Sequence, residues 1–160
     1  MRVRTGLGQD SHRFAPEGSN RPLRIGGVLF EGHAGLDGNS DADVALHALV
    51  NALSGVHGEV VLGSVTDRMC AAGVTDSGAY VRESLARLRP GTRLQHVSIS
   101  LECRRPPIAP KAEAIRASVA ALLGLELRDV AVTAHSGEGL SAVGRGEGIY
   151  ATVLVTALED

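Results

Sequence analysis

The chain has 160 residues, of which 44% are hydrophobic and 21% are charged, and its net charge is −2 at pH 7. A chain of this length buries one core, so we expect a single domain over residues 1–160. The absence of a basic run and the low aromatic content of 2% argue against nucleic-acid binding, which needs cationic surface and stacking platforms.

The cysteines and the hydropathy pattern narrow the class of protein further. Cys70 and Cys103 are too few for a disulfide framework and lack the CxxC spacing of a zinc or redox pair. The sequence shows no N-terminal signal pattern and no run of 18 apolar residues. We therefore expect a cytoplasmic protein with free thiols and no membrane partner.

The N-terminal part of the chain predicts two strands. Apolar and polar residues alternate in "MRVRTGLGQD", which is typical of a strand. A second strand is expected in "RPLRIGGVLFE", after a loop rich in Pro, Gly, Ser and Asn. We expect the two strands to pair with each other as a hairpin.

Two helices are expected next. The first follows "GHAGLDGNSDAD", whose acidic residues can cap a helix, and its apolar residues recur at helical spacing up to a stop at Gly55. Residues 56–75 show no clean period and are predicted as loop with a short strand at 59–62. The second helix is predicted over 76–89.

The second half of the chain predicts a strand, a helix and two strands. The segment "RLQHVSISLEC" alternates, so one apolar face should meet the helices. A helix between Pro110 and Gly124 has start and stop signals that agree, and "DVAVTAHS" and "GIYATVLVTAL" are further strands. The order ββααβαββ predicts an α+β fold: a mixed four- to five-stranded sheet with helices packed on one face.

A carboxylate and an imidazole lie close together near the N-terminus. Residues i and i+2 of a strand point to the same face, so Asp10 and His12 in "GQDSH" should project together. With His47 as the candidate third ligand, they would form a three-donor site with an open position, as in catalytic zinc centres. A turn residue beside an exposed histidine would give the same short motif, so both interpretations stay open.

A second cluster lies where a loop meets the first helix. Asp43 precedes His47 by one helical turn, so its carboxylate could orient the imidazole. The alternative is helix capping by Ser40 or Asp41, which is compatible with a metal ligand at His47.

A third stretch, "HSGEGLSAVGRGEG", combines glycines with polar and charged side chains. Its candidate residues are His135, Ser136, Glu138, Arg145 and Glu147. Backbone N–H groups and a carboxylate in such a loop can hold a phosphate and its divalent ion. The composition also suits an ordinary polar loop, and the P-loop motif is absent.

Taken together, these motifs resemble the 2-C-methyl-D-erythritol 2,4-cyclodiphosphate synthase family of the non-mevalonate isoprenoid pathway. The matching pieces are "GQDSHRF", "IGGV", "NSDADVALHALVNALSG" and "GEGLSAVGRGEGI", in the family's order over most of the chain. The resemblance implies a lyase that cyclises 4-diphosphocytidyl-2-C-methyl-D-erythritol 2-phosphate to 2-C-methyl-D-erythritol 2,4-cyclodiphosphate and releases CMP.

The resemblance also implies an assembly and metal ligands. Family members are homotrimers with active sites between subunits, and their zinc ligands match Asp10, His12 and His47. Glu138 matches a glutamate that holds a second divalent ion, Mg²⁺ or Mn²⁺, and Ser40 matches a serine that contacts phosphate.

A further implied site lies on the threefold axis of such a trimer. Arg145 and Glu147 match residues near that axis, where some members accept an isoprenoid diphosphate. The resemblance therefore adds an isoprenoid diphosphate to the expected ligands.

The segments expected to recognise the substrate depart from the family. Asn39 stands where a histidine is usual. The family's "GDIGxxFPDTD", which holds the methylerythritol hydroxyls, is replaced by "GEVVLGSVTDR", which leaves at best Glu59 for the first aspartate. "RRPPIAP" replaces the cytidine-binding segment, with Pro107 at the lysine position. Two alternatives therefore stay open: a divergent relative that uses the same metal site on another phosphorylated or nucleotide-activated substrate, and a trimeric binding protein without turnover.

The residues expected to bind the substrate follow from this comparison. They are Asn39, Ser40, Glu59, Arg104, Arg105, Ser136 and Arg145. The adjacent pair Arg104 and Arg105 is equally consistent with an exposed, solvated surface.

Overall fold

The computed structural model describes all residues, 1–160, as a mixed α+β fold built on a four-stranded sheet. This agrees with the predicted fold class. In chain order the elements are β1 (Arg2–Arg13), β2 (Leu23–Ile25), β3 (Val28–Phe30), α1 (Val44–His57), α2 (Ser64–Ala71), α3 (Ser77–Leu85), β4 (Arg93–Glu102), a 3₁₀ turn (Ala109–Lys111), α4 (Ala112–Leu123), a second 3₁₀ turn (Leu127–Asp129), β5 (Val130–His135) and β6 (Gly148–Glu159).

The sheet has the strand order β1-β6-β4-β5 and mixes both pairing directions. β6 is antiparallel to β1 and to β4, whereas β4 and β5 run parallel. A parallel pair needs a crossover connection, and α4 supplies it. The two terminal strands pair along their whole length, from Arg2 opposite Glu159 to Arg13 opposite Gly148.

The predicted hairpin between the first two strands is wrong. β1 pairs with β6, and the segment "RPLRIGGVLFE" folds on itself as the short hairpin β2–β3. Its two turn residues, Gly26 and Gly27, have φ of 61° and 80°. A two-residue hairpin turn requires positive φ at both positions, so adjacent glycines turn the chain locally.

The helices between residues 44 and 85 differ from the prediction in two places. α1 continues through Gly55 to His57 and ends at Gly58, which has a φ of 89°. The predicted strand at 59–62 is not formed, and helix α2 follows instead. α2 buries only Thr66 completely, so its apolar periodicity is too weak to be recognised in the sequence.

The later elements agree with the prediction. α3 lies within the predicted range and is capped by Asp76, whose carboxylate accepts from the Gly78 N–H at 2.9 Å. α4 ends at Gly124 in the left-handed conformation. The predicted apolar face of β4 is buried in a single aliphatic core, through Val97, Ile99 and Leu101.

Helix α1 lies directly on the backbone of β1. A side chain at Gly8 would collide with the carbonyl oxygen of Ala48, and one at Gly6 would collide with that of Ala52. Because both residues lack a side chain, the helix can approach the strand closely. This close approach brings His47 next to the strand residues that follow Gly8.

The other face of the sheet carries exposed apolar residues. Val3 and Leu7 of β1 and Leu154 of β6 have exposed fractions of 65%, 61% and 42%. No helix in the structure has both the length and the apolar character needed to span a bilayer.

Candidate metal centre

Three potential metal ligands from β1 and α1 meet at one point. Asp10 Oδ2 lies 2.9 Å from His12 Nε2 and 3.2 Å from His47 Nδ1, and the two imidazole nitrogens are 3.2 Å apart. The period of β1 places Asp10 and His12 on one face, and the close contact with α1 brings in the third side chain. The predicted convergence of these residues is therefore present in the fold.

The outer nitrogen of each imidazole has its own acceptor. His12 Nδ1 lies 2.8 Å from the carbonyl oxygen of Asp37, so this nitrogen carries the proton in the neutral ring. His47 Nε2 lies 3.0 Å from Ser77 Oγ and 3.2 Å from Ser40 Oγ. When the proton of His47 is on this outer nitrogen, both inner nitrogens present lone pairs toward the Asp10 carboxylate.

In the metal-free protein the two imidazoles stabilise the charged form of the Asp10 carboxyl group. Partial burial of Asp10 raises its pKa, but the hydrogen bonds and positive charge of His12 and His47 outweigh burial and hold that pKa at about 2. Burial also lowers the pKa of His12, yet its bond to the Asp10 carboxylate raises this pKa overall. The group therefore attracts a cation, because a proton or a metal ion can bridge the converging acceptors.

A hydroxyl and a carboxylate lie behind His47. Ser77 donates its hydroxyl proton to Asp41, and its backbone N–H donates to the same carboxylate at 3.2 Å. With that proton committed, Ser77 Oγ is an acceptor for the N–H at His47 Nε2. Such an outer contact fixes the tautomer and orientation of a ligating imidazole.

Asp43 does not orient His47, contrary to the prediction. Its buried carboxylate accepts from the backbone N–H groups of Leu46 at 3.0 Å, Gly26 at 2.8 Å and Gly27 at 2.6 Å. It therefore caps α1 and holds the β2–β3 turn against it. The alternative cap, Ser40 or Asp41, is also wrong, because Asp43 occupies that position.

A pocket opens over the three converging side chains. Its first wall, here called the ligand wall, consists of Asp10, His12, Asn39, Ser40 and His47. Its second wall, the α2 wall, consists of Leu62, Gly63, Thr66 and Asp67, with Tyr80 also lining the pocket. Two of the predicted substrate-binding residues, Asn39 and Ser40, thus share the cavity with the metal ligands.

Other predicted substrate residues lie outside this pocket. Glu59 forms an ion pair with Arg87 at 2.5 Å. Arg104 donates to the carbonyl oxygen of Gly144 at 3.1 Å and Arg105 to that of Gly146 at 3.4 Å. The two arginines therefore brace the glycine-rich loop within the same chain, while their remaining N–H groups face solvent.

The glycine-rich loop is also separate from the pocket of a single chain. Ser136 donates to Glu138 at 3.2 Å, and Arg145 pairs with Glu147 at 3.4 Å, all of them exposed. The group of potential metal ligands does not include Glu138. Its predicted role as a ligand of a second ion remains a prediction.

Comparison with known proteins decides the family. A family model described as the YgbB family matches residues 3–158. Relatives from Chlamydia muridarum and Chlamydia felis, both named 2-C-methyl-D-erythritol 2,4-cyclodiphosphate synthase, are 41% and 43% identical over 157 residues, or 98% of this chain and 88% and 89% of theirs. This chain belongs to that synthase family. The resemblance predicted from the motifs is confirmed.

Solved structures of the synthase family have the same fold. The Plasmodium vivax synthase has a TM-score of 0.80 at 27% identity and is covered to 99%, as is this chain. A CDP-bound form of a synthase has a TM-score of 0.79 at 29% identity, over 97% of this chain and all of that one. The bifunctional IspDF of Campylobacter jejuni has a TM-score of 0.84, but this chain spans only 42% of its length.

The donor set of this family member fits a small divalent ion. Zinc accepts carboxylate oxygens and imidazole nitrogens, so one carboxylate and two imidazoles form a suitable donor set. Tetrahedral zinc with ligand bonds of about 2.0–2.1 Å places its ligands roughly 3.3 Å apart, and the three atoms here lie 2.9–3.2 Å apart. Asp10, His12 and His47 would hold such an ion through three protein ligands, fewer than the four of a closed structural zinc site.

Sequence reasoning missed four residues of the site: Ser77, Thr66, Asp67 and Tyr80. The sequence contained one signal for Ser77. Asp76 and Ser77 are adjacent residues of types that cap helices, and the start of a helix needs only one cap. The second residue was free for another role, and it contacts His47. The α2 residues gave no comparable signal.

Proposed function

We propose that this protein cyclises 4-diphosphocytidyl-2-C-methyl-D-erythritol 2-phosphate and releases CMP, with zinc held by Asp10, His12 and His47. The observation that carries the proposal is the convergence of these three side chains in a chain more than 40% identical to named synthases along nearly its whole length. The proposal describes one domain, residues 1–160, that acts in the cytoplasm.

The chemistry requires positioning and charge stabilisation but no enzyme nucleophile. An oxygen of the 2-phosphate attacks the β-phosphorus, the bond from that phosphorus to the bridging oxygen breaks, and CMP leaves with its electron pair. Both reacting groups are anions, so holding them together in the reactive orientation lowers the barrier. A bound zinc ion supplies Lewis-acid polarisation of a phosphoryl oxygen.

The residues around the ligands hold the phosphate in place. Ser40 and Asn39 line the same pocket and supply a hydroxyl and an amide N–H to phosphate oxygens. Ser77 and Asp41 keep the His47 ring in one orientation, so its inner nitrogen stays directed at the ion. The ligand wall thereby fixes one reacting phosphoryl group relative to the other.

The proposal includes a homotrimer with active sites between subunits. The exposed apolar residues on the outer sheet face, Val3, Leu7 and Leu154, support association through that face. A neighbouring copy would then contribute Glu138, Ser136, Arg104 and Arg105, none of which reaches the pocket of its own chain. Arg145 and Glu147 are proposed to lie near the threefold axis, where an isoprenoid diphosphate is accepted in a cavity.

The decisive experiment is turnover. Purified protein is incubated with the cytidine-linked substrate, Zn²⁺ and Mg²⁺, and released CMP is measured by chromatography. We expect one CMP for each cyclic product. Zinc-loaded protein that releases no CMP would instead support the divergent relative, and protein without metal after chelator-free purification would support the binding protein.

A variant of Glu138 tests the second divalent ion, magnesium or manganese. In Glu138→Gln the bound zinc should be unchanged, because Glu138 is not one of the converging ligands. The Mg²⁺ concentration for half-maximal activity should rise about tenfold or more, since one carboxylate ligand is lost. Glu113→Gln, at the start of α4, is the control and should match the wild-type protein. An unchanged Mg²⁺ dependence in Glu138→Gln contradicts this assignment.

The divergent relative is the second candidate, and one contact favours it. Glu59 is the residue left from the family's substrate-binding acidic segment, and its carboxylate is paired with Arg87 outside the pocket. A substrate without the methylerythritol hydroxyls would not need that carboxylate. A panel of nucleotide-activated substrates, screened for release of the nucleoside monophosphate, separates this candidate from the cyclase.

A further inference from the structure

A carboxylate at the end of a central strand lies directly beneath the glycine-rich loop. Glu102 is the last residue of β4, and its backbone is paired with His135 of β5 on one side and with Tyr150 of β6 on the other. A side chain carried by a strand with neighbours on both sides has a firmly held origin. Glu102 is also partly buried, so it offers the loop a fixed point of contact.

The carboxylate contacts the loop at two places. The Ser141 hydroxyl donates its proton to Glu102 Oε1. A side chain on Gly137 would collide with the same oxygen, and Gly137 has a φ of 75°, so only glycine suits this position. One carboxylate oxygen therefore lies against both ends of the turn between residues 137 and 141.

Ser141 extends this contact to the returning side of the loop. With its proton donated to Glu102, Ser141 Oγ accepts from the N–H of Gly144 at 2.8 Å. Gly144 packs against the backbone of Gly137, because an added side chain on Gly144 would lie 2.7 Å from the Gly137 carbonyl oxygen. The same carbonyl oxygen accepts from the Leu140 N–H at 2.9 Å. These contacts form a closed set that begins and ends at the Glu102 carboxylate.

The loop residue that most needs this support is Glu138. Its φ of 51° lies in the left-handed region, which is sparsely populated by residues with a side chain. Its carboxylate accepts one hydrogen bond, from the Ser136 hydroxyl at 3.2 Å, and both residues are exposed. Such a backbone conformation persists only where the surrounding structure fixes it. Gly137, which lies on Glu102 Oε1, directly precedes Glu138 and supplies that restraint.

We infer that Glu102 is a positioning residue that holds the glycine-rich loop in the shape from which Glu138 and Ser136 reach the substrate's phosphates and their divalent ion. The inference rests on the proposed function, which gives Glu138 and Ser136 those partners. Glu102 acts through Ser141 and does not touch the ion, so its negative charge is not required. Glutamine should replace it, since the amide oxygen of glutamine also accepts a hydrogen bond.

Hydrogen exchange of the metal-free protein tests the contacts themselves. Glu102→Ala removes the acceptor of the Ser141 hydroxyl, so the hydrogen-bonded amides of residues 140–147 should exchange about tenfold faster than in the wild-type protein. Glu102→Gln should stay within about threefold of the wild-type rate. The double variant with Ser141→Ala should exchange no faster than Ser141→Ala alone, because both changes break the same bond.

Binding of Mn²⁺ to the zinc-loaded protein in the presence of CDP tests the consequence for the site. Free Mn²⁺ is measured by electron paramagnetic resonance, and zinc at Asp10, His12 and His47 resists replacement because such sites bind Mn²⁺ more weakly. Glu102→Ala should weaken Mn²⁺ binding about tenfold, since only a fraction of the molecules then present Glu138 correctly. Glu102→Gln should bind Mn²⁺ within about twofold of the wild-type affinity.

A carboxylate elsewhere on the surface provides the matched control. Glu126→Ala removes an exposed carboxylate that pairs with Arg128 at 2.9 Å, and it should leave loop exchange and Mn²⁺ binding unchanged. Thermal unfolding verifies that each variant is folded, and Ser141→Ala tests the same contact if Glu102→Ala is not. If the loop of Glu102→Ala exchanges at the wild-type rate, or if Glu102→Gln loses as much Mn²⁺ affinity as Glu102→Ala, the inference is wrong.

These measurements separate the inference from the proposed function, because neither depends on turnover. Wild-type protein that shows the expected pattern of exchange and Mn²⁺ binding but releases no CMP from the cytidine-linked substrate would overturn the function and leave the role of Glu102 intact. Normal turnover with unchanged Mn²⁺ affinity in Glu102→Ala would do the reverse. Wild-type protein that binds no Mn²⁺ beside CDP would also overturn the inference.

Discussion

The two walls of the pocket differ in how firmly the fold holds them. On the ligand wall, α1 buries ten of its fourteen residues and lies against β1 without intervening side chains. On the α2 wall, the eight-residue helix buries only Thr66. Metal chemistry needs fixed distances between ligands, whereas recognition of a substrate tolerates adjustment. The potential metal ligands thus lie on the elements that the core holds most firmly, whereas the opposite side of the pocket is formed by a helix that buries little.

The largest expected effect comes from removing a ligand on the rigid wall. His47→Ala should reduce bound zinc to background and abolish turnover, because two ligands do not hold the ion at an open site. Metal content by mass spectrometry and CMP release are the measurements. His33→Ala removes an exposed histidine and should leave both values unchanged. One zinc per chain in His47→Ala would refute the ligand assignment.

A smaller effect is expected from the contact behind His47. Ser77→Ala removes the acceptor 3.0 Å from His47 Nε2, so zinc affinity should fall about tenfold to a hundredfold while the ligands remain. Ser84→Ala is a close control, since Ser84 is equally buried on the same helix and contacts the ring of His57 at 2.9 Å. Zinc affinity comes from competition with a chelator. Equal losses in both variants would point to a general packing effect.

The metal centre should also respond to pH in a defined direction. Burial opposes a charge on His12, but the bond to Asp10 raises the pKa of His12 above its ordinary value. Zinc must displace that proton, so affinity should be constant above the raised pKa and fall about tenfold per pH unit below it. Chelator competition between pH 5.5 and 8.5 would show this profile. A flat profile would mean that no proton is released from His12 on binding.

The smallest expected difference concerns the walls themselves in the absence of ligand. Backbone amides of α2 should exchange with solvent faster than those of α1, because fewer buried contacts oppose local opening of α2. Hydrogen exchange followed by mass spectrometry measures both helices in one sample. Addition of the cyclic product should slow exchange in α2 more than in α1. Equal protection of the two helices without ligand would remove the contrast between the walls.

The metal ligands could be predicted because the sequence pattern that indicates them is local. Asp10 and His12 are two residues apart in a strand, and His47 follows a helix-start pattern, so short-range periodicity brings out all three. The contact of the buried Ser77 with His47 was not predictable, since the sequence does not say which of two adjacent capping residues caps α3. Glu138 lies outside this group of converging ligands, and periodicity within the chain does not place it relative to them.

The fold was predictable to a similar depth. The strand and helix content of the second half followed from alternation and from the Pro110 and Gly124 signals. The pairing of β1 could not be predicted. Its partner β6 is the last strand of the chain, and pairing between distant segments leaves no local pattern in the sequence. Helix α2 was missed for a related reason: it buries too little to show an apolar face.

The glycines of β1 determine more than how closely two elements pack. Gly8 precedes the first ligand by two positions, and its missing side chain sets the height at which α1 carries His47 above the strand. A methyl group there would collide with the backbone of α1 at Ala48 and Ala52, so the helix and His47 would have to move away from the strand. The spacing of the three ligand atoms thus depends on a residue that is not one of them, and exchanging Gly8 for alanine should weaken metal binding by displacing His47.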